Sequence, residues 1–385
     1  MQPIVFGNDP TFWYETLRSF GHIAYGGADF GEVLVTAQRI EEGDYDSWHD
    51  EWRRIADLVA TEAERSSSPI SRRDGFLRAS NYYRSAEFFL HGNPDDPRIH
   101  DSHARSVACF RKALPGVQAV QIPYKNTTLP GYHYDCGGDR TVVMHNGFDG
   151  SAEEMHFVAA AALAERGFNV LSFDGPGQPG PMHRESLTFR PDWENVIGPV
   201  LDWLQADRVA LLGNSMGGLL APRAAAFEPR IQALVALDGV YDMSLVLLDH
   251  FGGDRELAAR LLRAESAPEI DVLFEQLMAT DPGVRWACTH GMWVTGTSTP
   301  RSYFADMLDY HLGDGVAERI TCPTLVCSAP GDLFFQGQPE LLYEHLTCPK
   351  TFLEFGADLG SDAHCQAGAQ RLAMARIADW LERNF

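Results

Sequence analysis

Apolar and polar positions change rhythm once along this chain, near residue 118. Before that point, apolar residues recur at helical spacing among charged ones, as in DFGEVLVTAQRIEEGDYDSWHDEWRRIADLVATEAERS at 29–66. SRRDGFLRASNYYRSAEFFL (71–90) continues the pattern, with Ser71 as the expected N-cap. DSHARSVACFRKAL (101–114) is a third helical piece. After residue 118 the chain reads as short apolar strands separated by helices. VQAVQIPYKNTTLPGYHYDCG predicts two strands about a turn; RTVVMH, FNVLSF, RVALLG, IQALVAL, CPTLVC and KTFLEF predict six more. Helical runs lie between them, and AGAQRLAMARIADWLERNF closes the chain as an amphipathic helix. Such alternation predicts an α/β fold, a mainly parallel sheet with helices on both faces. Residues of about 239–318 interrupt it with helical sequence. The chain therefore divides into an N-terminal helical domain (1–117) and an α/β core (118–385) carrying a helical insertion.

Composition narrows the chemistry. A formal net charge of −22 argues against a nucleic acid or an anionic membrane as partner. No apolar run is long enough to span a bilayer. The start, MQPIVFGNDPTFWYE, lacks a basic segment followed by an apolar block, and seven scattered cysteines fit reduced thiols, so a cytoplasmic setting is expected. No His/Cys spacing suits zinc, and FDGPGQPG is not G-x-G-x-x-G, so neither a metal nor an organic cofactor is expected. A small molecule is the expected partner, and a homodimer through the helical domain is possible.

The candidate chemistry starts from LLGNSMGGLL, 211–220. Gly213-Asn214-Ser215-Met216-Gly217 matches G-x-S-x-G between an apolar strand and a helix. That context turns a glycine-rich bend into a strained strand-to-helix turn presenting a hydroxyl. A serine needs a base, and the base needs an orienting acid. Asp332 follows the strand PTLVCSA, and His364 follows TFLEF, in the chain order Ser, Asp, His. Asp238 and Asp242, after IQALVAL, are the alternative acids. The oxyanion donors are expected at the backbone N–H groups of Met216 and of Phe148, in the NGFDG loop.

These pieces, with NYYRSAEFFLHGNPDDPR, HNGFDGSAEE, FDGPGQPG, ITCPTLVC and DAHC in order, resemble the α/β-hydrolases with an N-terminal helical cap. That group includes FrsA-like esterases, 2,6-dihydroxypseudooxynicotine hydrolase and fungal pigment hydrolases that shorten polyketides. The resemblance implies the triad Ser215–Asp332–His364, the oxyanion pair Phe148 and Met216, and cleavage of a C–C bond beside a ketone. Ester or amide cleavage and acyl transfer use the same triad. A binding protein or cyclase that uses only the pocket is the reading from another class. The cap is expected to wall the substrate site. Tyr25, Glu32, Tyr82, Tyr83 and Arg84 are its candidates by aromatic or charged character, and Trp286, Trp293 and Tyr303 those of the insertion.

Overall fold

A computed structural model of the protein describes residues 1–245 and 253–385. Five helices precede the sheet: α1 (Pro10–Gly21), α2 (Phe30–Ala37), α3 (Tyr45–Arg65), α4 (Pro69–Glu87) and α5 (Pro97–Ala113). Acidic or hydroxyl N-caps start them: Asp9 accepts from two backbone N–H groups of α1, and Asp44 does the same for α3. The long run read as one helical stretch is divided between α2 and α3. Ser68, not Ser71, caps α4, because Pro69 occupies the first helical position and Ser68 accepts from the Ser71 N–H.

Eight strands form one sheet in the order β1-β2-β4-β3-β5-β6-β7-β8. β1 (Gln118–Tyr124) and β2 (Thr127–Tyr134) make the expected hairpin, and β2 runs antiparallel to β4 (Asn169–Phe173). β3 (Thr141–His145), β4, β5 (Val209–Asn214), β6 (Ile231–Leu237), β7 (Thr324–Ser328) and β8 (Lys350–Glu354) are mutually parallel. Strand alternation divides the core between two faces. Val142, Met144, Ala210 and Leu212 pack with the closing helix Gln370–Asn384 and the N-terminal helices. Val143, Leu211, Leu234 and Val326 pack against α8 (Glu194–Leu204) and α9 (Gly217–Ala225), which follow the short α6 (Ala161–Ala164) and α7 (Pro179–Glu185) in the chain. Burial on both faces explains why these strands read as continuous apolar runs.

Between β6 and β7 the described residues include four helices, Arg255–Leu262, Pro268–Thr280, Pro282–Thr295 and Pro300–Met307. Positions 246–252, part of the run expected to be helical there, lie outside the described residues. No helix among the described residues is long and apolar enough to cross a membrane. Parallel strands place the loops after β3, β5, β6, β7 and β8 at one sheet edge, where the candidate chemistry collects.

Candidate active site

Ser215 sits between the end of β5 and the start of α9 with φ +60°, a left-handed conformation rare for a residue with a side chain. Its N–H is held by the Leu237 carbonyl at 3.0 Å. The turn closes only because Gly213 lacks a side chain: a Cβ there would lie 1.9 Å from the Gly217 carbonyl oxygen. The strained bend thus lifts one hydroxyl off the sheet edge.

That hydroxyl meets a base. His364 lies in the loop after β8, and its Nε2 accepts from Ser215 Oγ at 2.9 Å. Its Nδ1–H donates to Asp332 Oδ2 at 2.8 Å. Asp332, in the loop after β7, is positioned by the Phe334 and Phe335 N–H groups, 2.6 and 3.2 Å from Oδ1. The rings of Phe334 and Phe335 pack edgewise on the imidazole. Burial works against a charge on His364, but the Asp332 carboxylate outweighs it and holds the imidazole above its ordinary pKa. Burial also works against a charge on Asp332, and there His364 prevails, holding the carboxyl below its usual range. This is the polarity of a general base with its orienting acid. A second carboxylate reaches the same nitrogen: Asp238 Oδ2, at the end of β6, is 3.1 Å from Nδ1. Asp242 is elsewhere, bound to Ser244 and Arg255.

The loop after β3 is fixed from three sides. Asn146 Oδ1 accepts from Asn214 Nδ2 at 2.9 Å and from the Gly147 N–H at 2.8 Å, tying the loop to the residue before Ser215. Gln178 Nε2 donates to the Asn146 and Gly147 carbonyls. His290 Nε2–H donates to the Phe148 carbonyl at 3.0 Å. Phe148 and Met216 both line the cavity beside Ser215, and neither N–H has a hydrogen-bond acceptor among the described residues. Two unused amides flanking a serine are suited to a developing oxyanion.

The cavity measures about 280 Å³ and has two characters. The insertion supplies an apolar wall, including Leu273, Phe274, Leu277, Trp286, Tyr303 and Phe304. α1 supplies Tyr14, Glu15 and Arg18, which face Asp149 and Glu154 from the core. Arg18 donates to Glu154 through two nitrogens, each at 2.6 Å, to Asp149 at 2.9 Å and to Glu15 at 3.2 Å. Burial opposes the charge on Glu154, but Arg18 and Arg84 overcome it and hold its carboxyl well below the ordinary range. Glu15 is the exception. Burial raises it from 4.5 to about 7, against the pull of Arg18 and Arg84. The folded chain therefore holds a proton there that the unfolded chain has released, so stability falls as pH rises through that window. Relative to Glu15→Gln, the wild-type urea midpoint is expected to drop between pH 5 and pH 8. Parallel profiles would place the titration elsewhere.

Comparison with known proteins bears on this geometry. Residues 142–382 match the model of a family described as the alpha/beta hydrolase family. The chain belongs to that family. This α/β-hydrolase is 34% identical to the hydrolase LUC6 of a Fusarium species, over 97% of this chain and 96% of that one. It is 33% identical to the 20-hydroxy-prefusarin hydrolase FUS2 of Gibberella moniliformis, covering 99% and 98%. The crystal structure of the 2,6-dihydroxy-pseudo-oxynicotine hydrolase superposes with a TM-score of 0.72 at 21% identity, covering 94% of this chain and 95% of that one, which shows the shared fold.

The α/β-hydrolase brings together Ser215, Asp332, His364, Phe148 and Met216 at one cavity, with Trp286 and Tyr303 from the insertion. The other wall candidates stand away from this cavity, whose lining does not include Tyr25, Glu32, Tyr82, Tyr83, Arg84 or Trp293. Their polar and aromatic groups are used within the helices. Tyr82 Oη donates to Glu32, which also accepts from Arg78. Tyr83 donates to Asp57, and Tyr25 lies under the Arg371 guanidinium. Arg84 stands behind Glu15 and Glu154 as their second cation, 3.6 and 3.7 Å away. Trp293 stacks on His91 at 4.4 Å. Sequence reasoning missed Glu15 and Arg18, whose signal was an acid–base pair three residues apart on one helix. A separate group, Glu87, His103 and His183, offers possible metal-ligand atoms within 4.8 Å of one another. The His103 and His183 rings stack nearly parallel, 4.1 Å apart at 17°, so their in-plane lone pairs do not converge on one point.

Proposed function

We propose that this α/β-hydrolase is a serine hydrolase whose Ser215–His364–Asp332 triad cleaves a C–C bond beside a ketone in a polyketide-like substrate. The observation that carries the triad is the unbroken hydrogen-bond line Oγ–Nε2, Nδ1–Oδ2 at the cavity wall. An unbroken relay also weighs against a pocket used only for binding or cyclisation.

Ser215 Oγ attacks the carbonyl as His364 Nε2 takes its proton, and Asp332 keeps the imidazole oriented. The Phe148 and Met216 N–H groups receive the oxyanion. Collapse of the tetrahedral intermediate breaks the C–C bond, and the electron pair leaves as a carbanion delocalised into an adjoining carbonyl or phenolic system. His364 returns the proton to that carbon. Water then releases the acyl group as a carboxylic acid. The apolar insertion wall and the polar α1 end support an amphipathic substrate. The relative named 20-hydroxy-prefusarin hydrolase supports hydrolysis as the reaction class.

Turnover of an aryl β-diketone in ¹⁸O-labelled water tests the reading. One ¹⁸O is expected in the released acid, with a solvent proton on the departing carbon. Cleavage confined to esters would reassign the enzyme as an esterase, and product acylated on an added alcohol would make it an acyltransferase.

A further inference from the structure

Two adjacent strand ends deliver a carboxylate to one imidazole nitrogen. Asp332 follows β7 and Asp238 ends β6; their Oδ2 atoms stand 2.8 and 3.1 Å from His364 Nδ1. Resting on the serine-hydrolase reading, we propose that Asp238 is a second acid of this site, a positioning residue that shares the His364 Nδ1–H with Asp332 and sustains the base when Asp332 loses its charge.

The surroundings of Asp238 support this role. It is wholly buried. Three donors address its carboxylate: the Cys365 N–H, Gln366 Nε2–H and His364 Nδ1–H. It pairs with no lysine or arginine among the described residues, so His364 is the one group beside it that can carry positive charge. A buried carboxylate without a counter-ion is costly. That cost is relieved when Ser215 passes its proton to Nε2 and the imidazole becomes imidazolium. Asp238 therefore favours the state reached during acylation over the resting state, the condition for accelerating a step. Burial, with the nearby Asp332 charge adding to it, raises the Asp238 carboxyl above its ordinary range against the pull of the His364 hydrogen bond.

The backbone is bent to hold this contact. Asp238, Cys365 and Gln366 have φ of +57°, +51° and +51°, all left-handed and none glycine. A Cβ on Gly218 would lie 2.4 Å from the Asp238 carbonyl oxygen, so the start of α9 sits directly on this residue. The other titratable groups facing the pair are Tyr14 from α1, Cys327 from β7 and Cys365 from the histidine loop.

The test is the second-order rate of Ser215 modification by an alkyl fluorophosphonate across pH, followed by intact mass. Asp238→Asn, Asp332→Asn and the double variant are compared with wild type, with urea midpoints to establish folding. Loss of the orienting acid alone costs about 10⁴-fold in a triad with one carboxylate. Here Asp332→Asn is expected to lose less than about 10³-fold, and the double variant about 10⁴-fold or more. Asp238→Asn is expected to lose about tenfold and to move the acidic limb of the rate profile to lower pH, because the base has lost one of two carboxylates. A purely structural Asp238 would leave that limb in place, and this result overturns the proposal. Asp332→Asn as slow as the double variant also overturns it. If Asp238→Asn does not fold, Asp332→Asn alone decides: a loss above about 10³-fold overturns the proposal, and a smaller loss supports it. Failure of the underlying reading has a different signature, an unlabelled wild type or a labelled Ser215→Ala.

Discussion

Ser215→Ala is expected to lower kcat on any substrate of this enzyme by about 10⁵–10⁶-fold while leaving the urea midpoint nearly unchanged. The size follows from the relay. Removing Oγ leaves His364 with nothing to deprotonate and leaves the Phe148 and Met216 amides without an attacking atom between them. The folded state loses little, because Ser215 contributes one hydrogen bond through its side chain and its strained φ persists in alanine. Single-turnover rates on an activated ester provide the measurement. Activity within tenfold of wild type would move the nucleophile elsewhere and remove the role assigned to His364.

The largest effect on stability is expected from Arg18→Met, about 3–5 kcal/mol by urea unfolding at pH 7. Arg18 bonds three carboxylates, and Glu15 and Glu154 are almost wholly buried. Methionine fills much of the space and supplies no charge. Arg84 remains, but its nearest carboxylate oxygens are 3.6 Å or more away and it makes no hydrogen bond among the described residues. Uncompensated buried charge, rather than lost packing, then drives the destabilisation. Adding Glu154→Gln is expected to restore part of the loss, since the two residues act as one network. A loss under 1 kcal/mol with Arg18→Met would mean that water reaches the cluster.

The strands, the elbow turn and the sequence order of Ser215, Asp332 and His364 were legible because their signals are local. β3 and β5 are short apolar runs ended by glycine loops, and the spacing of Gly213, Ser215 and Gly217 is itself the turn. Asp332 lies in the loop after β7 and His364 in the loop after β8, so sequence order placed them. The cavity wall was not legible in the same way. Arg18 meets Asp149 and Glu154 across 131 and 136 residues, and only tertiary packing creates that pairing. Aromatic and charged character misdirected the choice of Glu32 and Tyr82, which spend those groups on each other. Asp238 was visible as an alternative to Asp332. That both carboxylates reach one nitrogen is a matter of two neighbouring strand ends, which no one-dimensional pattern states.

The Ser215–His364–Asp332 hydrogen-bond line rests on loops of the sheet edge, whereas much of the apolar wall comes from helices spliced between β6 and β7. One contact joins the two parts: His290 of the spliced segment holds the Phe148 carbonyl. Substitutions in that segment other than at His290 are therefore expected to reshape the wall a bound molecule meets while the Ser215–His364–Asp332 hydrogen-bond line keeps its place.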